Sequence, residues 1–173
     1  MSNILKKAMG EELYEIYQLY SKAPFDIVSF VKNHLDINLY QTADLPADVS
    51  GCIFERDGSI KIYVQSSDVL QRKRFTIAHE LGHYFLHRDR INEGFVDGIG
   101  NATGRNGYGK EEREANKFAA ELLMPEGIFK ERCLKHGGNI QRIALDFNVS
   151  EAAASVRMKK LGISVDDELS YFF

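Results

Sequence analysis

The first third of the chain carries two stretches with the apolar spacing of amphipathic helices. Residues 11–20 place apolar side chains three and four positions apart, and the same spacing returns between Pro24 and about Asp36. Because Pro24 lacks an amide proton that a first helical turn would leave unpaired, it is a suitable first residue for the second helix. The pattern therefore predicts two N-terminal helices.

The period then shortens to that of β-strands. Residues 37–40, 51–56 and 60–64 are rich in β-branched and aromatic side chains. The last two segments flank Asp57-Gly58, a dipeptide typical of a tight hairpin turn. We expect a small antiparallel sheet here.

Helical spacing returns from about Ser67 to Arg88, with Ser66 or Ser67 as the expected N-cap. A Gly-rich segment, 90–109, separates this helix from a second strong helix over residues 110–124. A loop of this length in a small domain is usually functional or disordered. Shorter helices are expected near 126–136, 139–147 and 150–161.

The expected architecture is one α+β domain over residues 1–173, mostly helical, with a small antiparallel sheet packed beside the 67–88 helix. Residues 1–66 supply the N-terminal helices and the sheet, residues 67–125 two long helices and the Gly-rich segment, and residues 126–173 a helical tail. A length of 173 residues suits a single domain with its own core.

Composition narrows the classes of function. The 22 Lys and Arg against 25 Asp and Glu leave a net charge of −3, too mild for a general nucleic-acid binder. The two cysteines, Cys52 and Cys133, are far apart and lack Cys-x-x-Cys spacing, which excludes a cysteine zinc cluster. No signal peptide or membrane-length apolar run is visible. We expect a cytoplasmic protein without membrane contact.

Three of the five histidines fall within nine residues, in the helix expected over 67–88. His79 and His83 belong to a His-Glu-x-x-His motif, and histidines four apart share one helix face, so two imidazoles can bind one metal ion. Glu80 lies one position round the helix, where it can act as a general base on an attacking water. Two imidazoles and a carboxylate with an open coordination position suit one Zn²⁺ ion best.

His87 continues the four-residue spacing but is not expected to be a ligand. On a straight helix it lies about 12 Å along the axis from His79, whereas zinc ligands lie about 2 Å from the ion. We interpret His87 as a packing or hydrogen-bonding residue.

The 110–124 helix is the expected source of the third ligand. Glu112 lies on the side of small and apolar residues that can pack on the motif helix, with Asn116 one turn later. Asn116 can hydrogen-bond the other nitrogen of a metal-binding histidine. Glu114 is expected on the solvated face, and Glu111 remains the rival ligand. All three glutamates can alternatively have no metal-binding role, since negative side chains near a helix N-terminus are stabilised by the helix dipole.

Two segments, RFTIAHELGHYFLH (74–87) and EREANKFAAELLMP (112–125), closely resemble the ImmA/IrrE family of zinc-dependent metallo-endopeptidases. The looser resemblance extends over about residues 24–163. It implies a zincin-like fold, with His79 and His83 as zinc histidines, Glu80 as the catalytic acid, Glu112 as the third ligand and Asn116 beside it.

The resemblance also implies a substrate. Family members of this size are typically encoded on mobile elements or prophages, or act in stress responses, and resemble proteases that cleave a helix-turn-helix transcriptional repressor. The expected function is therefore a zinc endopeptidase whose protein substrate is such a repressor.

An alternative function is a non-proteolytic regulator or toxin–antitoxin component with a structural or idle metal site. It would bind a repressor partner or DNA through the helices of 139–161, which have a helix-turn-helix look. That segment has four basic and two acidic residues, and three of the basic ones, Arg157, Lys159 and Lys160, lie only near the end of its second helix. We therefore expect packing or protein docking there, rather than direct DNA binding.

Overall fold

The computed structural model describes residues 4–98 and 108–163. The helices of this part are α1 (Ile4–Met9), α2 (Glu11–Tyr20), α3 (Ile27–His34), α4 (Leu70–Leu86), α5 (Tyr108–Leu123), α6 (Glu126–Lys135), α7 (Ile140–Phe147) and α8 (Glu151–Lys160). The strands are β1 (Ile37–Thr42), β2 (Val49–Arg56), β3 (Ser59–Gln65) and β4 (Phe95–Gly98), and a 3₁₀ helix spans Arg88–Glu93. The predicted α+β class, mostly helical with a small sheet, is confirmed.

The sheet is mixed rather than wholly antiparallel, which corrects the prediction. Its strand order is β1-β3-β2-β4. β2 and β3 form the predicted hairpin, with Asp57 and Gly58 at φ 53° and 71°, the left-handed region that suits this dipeptide. β1 pairs with β3 in parallel. The chain reverses twice between these two strands, so they run in the same direction.

Two expected helix starts are wrong. α3 begins at Ile27 rather than Pro24, and the Asp26 side chain caps it by accepting a hydrogen bond from the Ser29 amide at 3.1 Å. α4 begins at Leu70 after Val69, without a side-chain cap. Ser66 and Ser67 instead lie in the turn that follows β3, where the Ser66 amide donates to the Thr42 carbonyl at 2.8 Å, so neither of them directly precedes the helix.

The Gly-rich segment holds more structure than its composition predicts. Its first part forms the 3₁₀ helix and β4, which pairs antiparallel with β2. Ile91 and Phe95 are buried and anchor this part to the core. The rest of the segment, 99–107, lies outside the described residues.

α4 lies between the sheet and α5, and glycines permit both contacts. A Cβ atom at Gly51 on β2 would lie 2.3 Å from Thr76 Cγ2, and one at Gly82 would lie 2.7 Å from the Ala115 Cα atom on α5. Real side chains do not approach so closely, so any larger residue would push the elements apart. These contacts place the face of α4 that carries the His-Glu-x-x-His motif in the interior.

The C-terminal helices are tied to this centre by buried arginines. Arg74 on α4 donates to the carbonyls of Phe147 and Asn148 at the end of α7. Arg157 on α8 donates to the Met124 carbonyl and forms an ion pair with Glu121 on α5. In the part of the chain that the structure describes, no helix is long and apolar enough to cross a membrane.

Candidate metal centre

The two motif histidines face each other one helical turn apart on α4. Their Nε2 atoms lie 3.1 Å apart, and both side chains are buried. Glu112 reaches them from α5: its Oε2 atom lies 3.1 Å from His79 Nε2, and its Oε1 atom lies 3.4 Å from His83 Nε2. Three possible ligand side chains from two helices therefore meet at one point.

This arrangement matches the spacing that a small metal ion requires. Bonds of about 2.0–2.1 Å in a tetrahedral site place neighbouring donor atoms about 3.4 Å apart. The donor atoms of His79, His83 and Glu112 all lie within 4.8 Å of one another, and the closest pairs lie at 3.1–3.4 Å. The donor set of two nitrogens and a carboxylate is one that zinc accepts with an open position.

The rival acids on α5 point elsewhere. Glu111 forms an ion pair with Arg90. Glu114 lies 3.1 Å from His87 Nε2 and 3.7 Å from Lys110 Nζ. Glu114 is partly exposed, as expected for the solvated face, and its carboxylate also contacts a buried histidine.

Asn116 contacts the outer nitrogen of His79. Its Oδ1 atom lies 3.1 Å from His79 Nδ1. An amide oxygen only accepts, so His79 carries a proton on Nδ1, and in the neutral ring Nε2 is then unprotonated and available to a metal. The two helices thus supply both a group of possible ligand atoms and a partner that favours one tautomer of His79.

His87 lies outside the group of three and instead contacts its neighbours. Its Nδ1 atom lies 3.1 Å from His83 Nδ1. The helix ends just before it, since α4 stops at Leu86 and His87 has φ −130°. The predicted hydrogen-bonding role agrees with these contacts.

Glu80 is fully buried on the side of α4 that faces β2. A Cβ atom at Gly51 would lie 3.7 Å from its Oε1 atom. On the same strand, burial and then the negative charge of Glu80 raise the pKa of the Cys52 thiol to about 11. Cys52 therefore stays protonated near neutral pH and does not offer a competing thiolate.

Electrostatics in the metal-free site favour neutral His83 and charged Glu112. Burial lowers the pKa of His83, and its contacts with Glu112 only partly oppose this. Burial acts to raise the pKa of Glu112, but hydrogen bonds and positive charge from His79 and His83, when these rings are protonated, outweigh it and lower the pKa to about 2. Neutral imidazoles and an ionised carboxylate are the forms that bind a metal.

Sequence reasoning missed one neighbour of the site. The Phe95 ring on β4 stacks on the His83 ring, with centroids 4.0 Å apart and an interplanar angle of 15°. Phe95 lies in the Gly-rich segment, where no periodic pattern indicated a strand.

Comparison with known proteins agrees with this fold. Residues 33–159 match the family described as the IrrE N-terminal-like domain. The chain belongs to this family, the ImmA/IrrE metallopeptidases. It is therefore classed with metal-dependent hydrolases of peptide bonds.

Particular relatives can be named. The chain is 27% identical over 146 residues to Metallopeptidase ImmA of Bacillus subtilis (strain 168). The aligned region covers 79% of this chain and 83% of the relative. It is 31% identical over 126 residues to Uncharacterized immunity region protein 2 of Bacillus phage phi105, covering 72% and 71%.

One solved structure, a Mycobacterium tuberculosis transcriptional regulator, has a similar fold, with a TM-score of 0.62 at 17% identity. The match covers 86% of this chain but only 45% of that one, so this chain spans less than half of the regulator's length.

Proposed function

We propose that this protein is a zinc endopeptidase that cleaves a peptide bond in a protein substrate. The observation that carries the proposal is the meeting of three buried or half-buried donor side chains, His79, His83 and Glu112, directly beside a buried glutamate. Family membership supports a peptidase, and the donor set supports zinc as its one metal ion.

Each residue has a distinct role in the proposal. His79, His83 and Glu112 hold the ion, and Asn116 fixes the tautomer of His79. A bound zinc ion would polarise the scissile carbonyl and acidify the attacking water. Glu80 accepts the proton from that water and passes it to the departing amine.

The proposed substrate is a helix-turn-helix transcriptional repressor. The phage relative is named an immunity region protein, which supports a role in regulating a mobile element. Direct DNA binding is not part of the proposal. Arg157, one of the basic residues late in the 139–161 segment, is buried and paired with Glu121, so it is not presented to phosphate.

Replacing Glu80 with glutamine tests this mechanism. Glu80→Gln keeps the shape of the side chain but removes the base, so we expect zinc content to stay stoichiometric and cleavage to fall at least about 100-fold. The assay is co-expression with helix-turn-helix repressors from the same genetic element, followed by mass spectrometry of truncated products.

Glu131→Gln, an exposed glutamate on α6, is the matched control and should leave cleavage unchanged. A Glu80→Gln protein that cleaves at the normal rate would refute the assigned role of Glu80. If the wild-type protein binds zinc but truncates none of the repressors, the proposed substrate is wrong.

A further inference from the structure

A line of three polar side chains leads from the metal centre to the surface of α5. His83 Nδ1 lies 3.1 Å from His87 Nδ1, and His87 Nε2 lies 3.1 Å from Glu114 Oε2. His87 is only 7% exposed, so these contacts are shielded from water on the histidine side. Neither His87 nor Glu114 is among the residues that would hold the metal.

The positions of the protons along this line follow from the chemistry of its two ends. His83 directs Nε2 at His79 and Glu112, so this nitrogen must be unprotonated to bind a metal. Neutral His83 then carries its proton on Nδ1, and this N–H donates a hydrogen bond to His87 Nδ1. His87 must accept on Nδ1, so its own proton is on Nε2, facing a carboxylate that can only accept.

The opposite tautomer of His87 would be unfavourable at both ends. It would place two N–H groups against each other at the 3.1 Å contact with His83. It would also turn the bare Nε2 lone pair towards the negative charge of Glu114. Lys110 Nζ, 3.7 Å from the other oxygen of Glu114, further favours the ionised carboxylate.

We propose that His87 and Glu114 are positioning residues, which hold His83 in the tautomer and ring orientation that bind the metal. The inference deepens the proposed function and rests on its metal site. Each of the two histidines then has a hydrogen-bond acceptor at its Nδ1 atom. The amide of Asn116 accepts from His79, and the imidazole of His87, paired with the Glu114 carboxylate, accepts from His83. Such outer partners typically contribute 10- to 100-fold in metal affinity.

The test separates positioning from simple packing by using two variants of His87. His87→Phe fills the same space beside Phe95, whose ring centroid is 5.9 Å away, but offers His83 no acceptor. His87→Gln keeps an amide oxygen for His83 and an N–H for Glu114. Zinc affinity is measured by competition with a chromophoric chelator, and the stability of the metal-free proteins by urea unfolding.

We expect His87→Phe to weaken zinc binding by about 10- to 100-fold without lowering metal-free stability, and His87→Gln to recover most of the loss. Glu114→Ala should weaken binding in the same direction. Its matched control is Glu126→Ala, which also removes a partly exposed glutamate with a lysine partner four residues away. This control should bind zinc as the wild type does.

Nitrogen-15 NMR of the zinc-loaded wild-type protein gives a readout that needs no variant. We expect His83 to be protonated on Nδ1 and His87 on Nε2 only. An Nδ1 proton on His87 would overturn the inference. A His87→Phe protein that is less stable than the wild type but binds zinc with wild-type affinity would overturn it as well. Either result would leave the proposed function intact. Failure of the wild-type protein to bind zinc would instead remove the proposed function, and the inference with it.

Discussion

Glu111 and Glu112 are neighbours with the same side chain, and their positions on α5 give them different partners. Successive helical residues point about 100° apart, so only one of them can face α4. Glu112 reaches both motif histidines, whereas Glu111 pairs with Arg90 of the 3₁₀ helix. Contacts with the histidines also outweigh the effect of burial and lower the pKa of Glu112.

Alanine substitutions at these two positions should therefore differ. We expect Glu112→Ala to lose stoichiometric zinc, because it removes one of the three proposed ligands. Glu111→Ala should keep zinc and lose at most about 1 kcal/mol of stability, since it breaks a partly exposed ion pair. Metal content after dialysis measures the first effect and urea unfolding the second. Zinc retained by Glu112→Ala and lost by Glu111→Ala would reverse the assignment.

At the scale of elements, the spacing between α4 and α5 decides whether the ligands meet. Gly82, inside the His-Glu-x-x-His motif, brings the α5 backbone so close that a Cβ atom would lie 2.7 Å from the Ala115 Cα atom and 3.0 Å from its carbonyl oxygen. Backbone atoms cannot rotate away as a flexible side chain can. One residue without a side chain thus allows Glu112 to reach histidines on the other helix.

Gly82→Ala should therefore separate the helices and weaken the site. We expect a loss of about 1–3 kcal/mol in stability, typical of overpacking, together with weaker zinc binding. Urea unfolding and chelator competition measure the two effects. Gly127→Ala on α6 is the control, because a Cβ atom there meets nothing within 4 Å. A Gly82→Ala protein as stable as the wild type, with unchanged zinc affinity, would contradict the close approach.

The cap of α3 gives a pH-dependent prediction away from the metal centre. The Asp26 side chain accepts hydrogen bonds from the Ser29 amide and hydroxyl, and these lower its pKa below 3.8. A lowered carboxyl pKa adds stability above about pH 4, which is lost as the pH falls through the folded-state pKa.

Asp26→Ala should cost about 1 kcal/mol at pH 7, the usual value of such a cap. Urea unfolding of wild-type and variant proteins from pH 7 to pH 3 should show the difference shrinking as Asp26 becomes protonated. A difference that stays constant down to pH 3 would show that the charge of the carboxylate does not matter.

At the scale of the whole molecule, the candidate metal centre joins distant parts of the chain. His79 and Glu112 are separated by 33 positions, and the segment between them includes β4, whose Phe95 covers His83. A ligand that binds only the folded state stabilises it by mass action. Zinc bound at this site should therefore stabilise both helices and the strand that packs on them.

We expect zinc to raise the melting temperature, by an amount equivalent to about 2.7 kcal/mol when free zinc is 100 times its dissociation constant. Differential scanning calorimetry with and without a chelator measures the shift. Glu112→Ala is the reference variant and should show little or none. An equal shift in both proteins would place the stabilising metal elsewhere.

Much of the fold was predictable because it depends on local periodicity. Helix spacing predicts α2, α4 and α5 to within a few residues, and Asp57-Gly58 predicts the β2–β3 hairpin. Errors occur where pairing partners are distant in the chain: the parallel contact of β1 with β3, and β4 within a Gly-rich segment. Two helix starts were also misplaced, because Asp26 rather than Pro24 sets the start of α3 and α4 begins without any side-chain cap.

The sequence by itself determined the chemistry of the centre. The four-residue spacing of His79 and His83 is a property of one helix, and their side chains share a face wherever that helix lies. Only the tertiary structure decided which partners complete it: that Glu112 contacts the histidines while Glu111 turns to Arg90, and that His87 and Glu114 connect to His83. Which side chains contact the motif histidines depends on the distance and rotation between α4 and α5. These arise from packing at Gly82 and Ala115 rather than from any local sequence pattern.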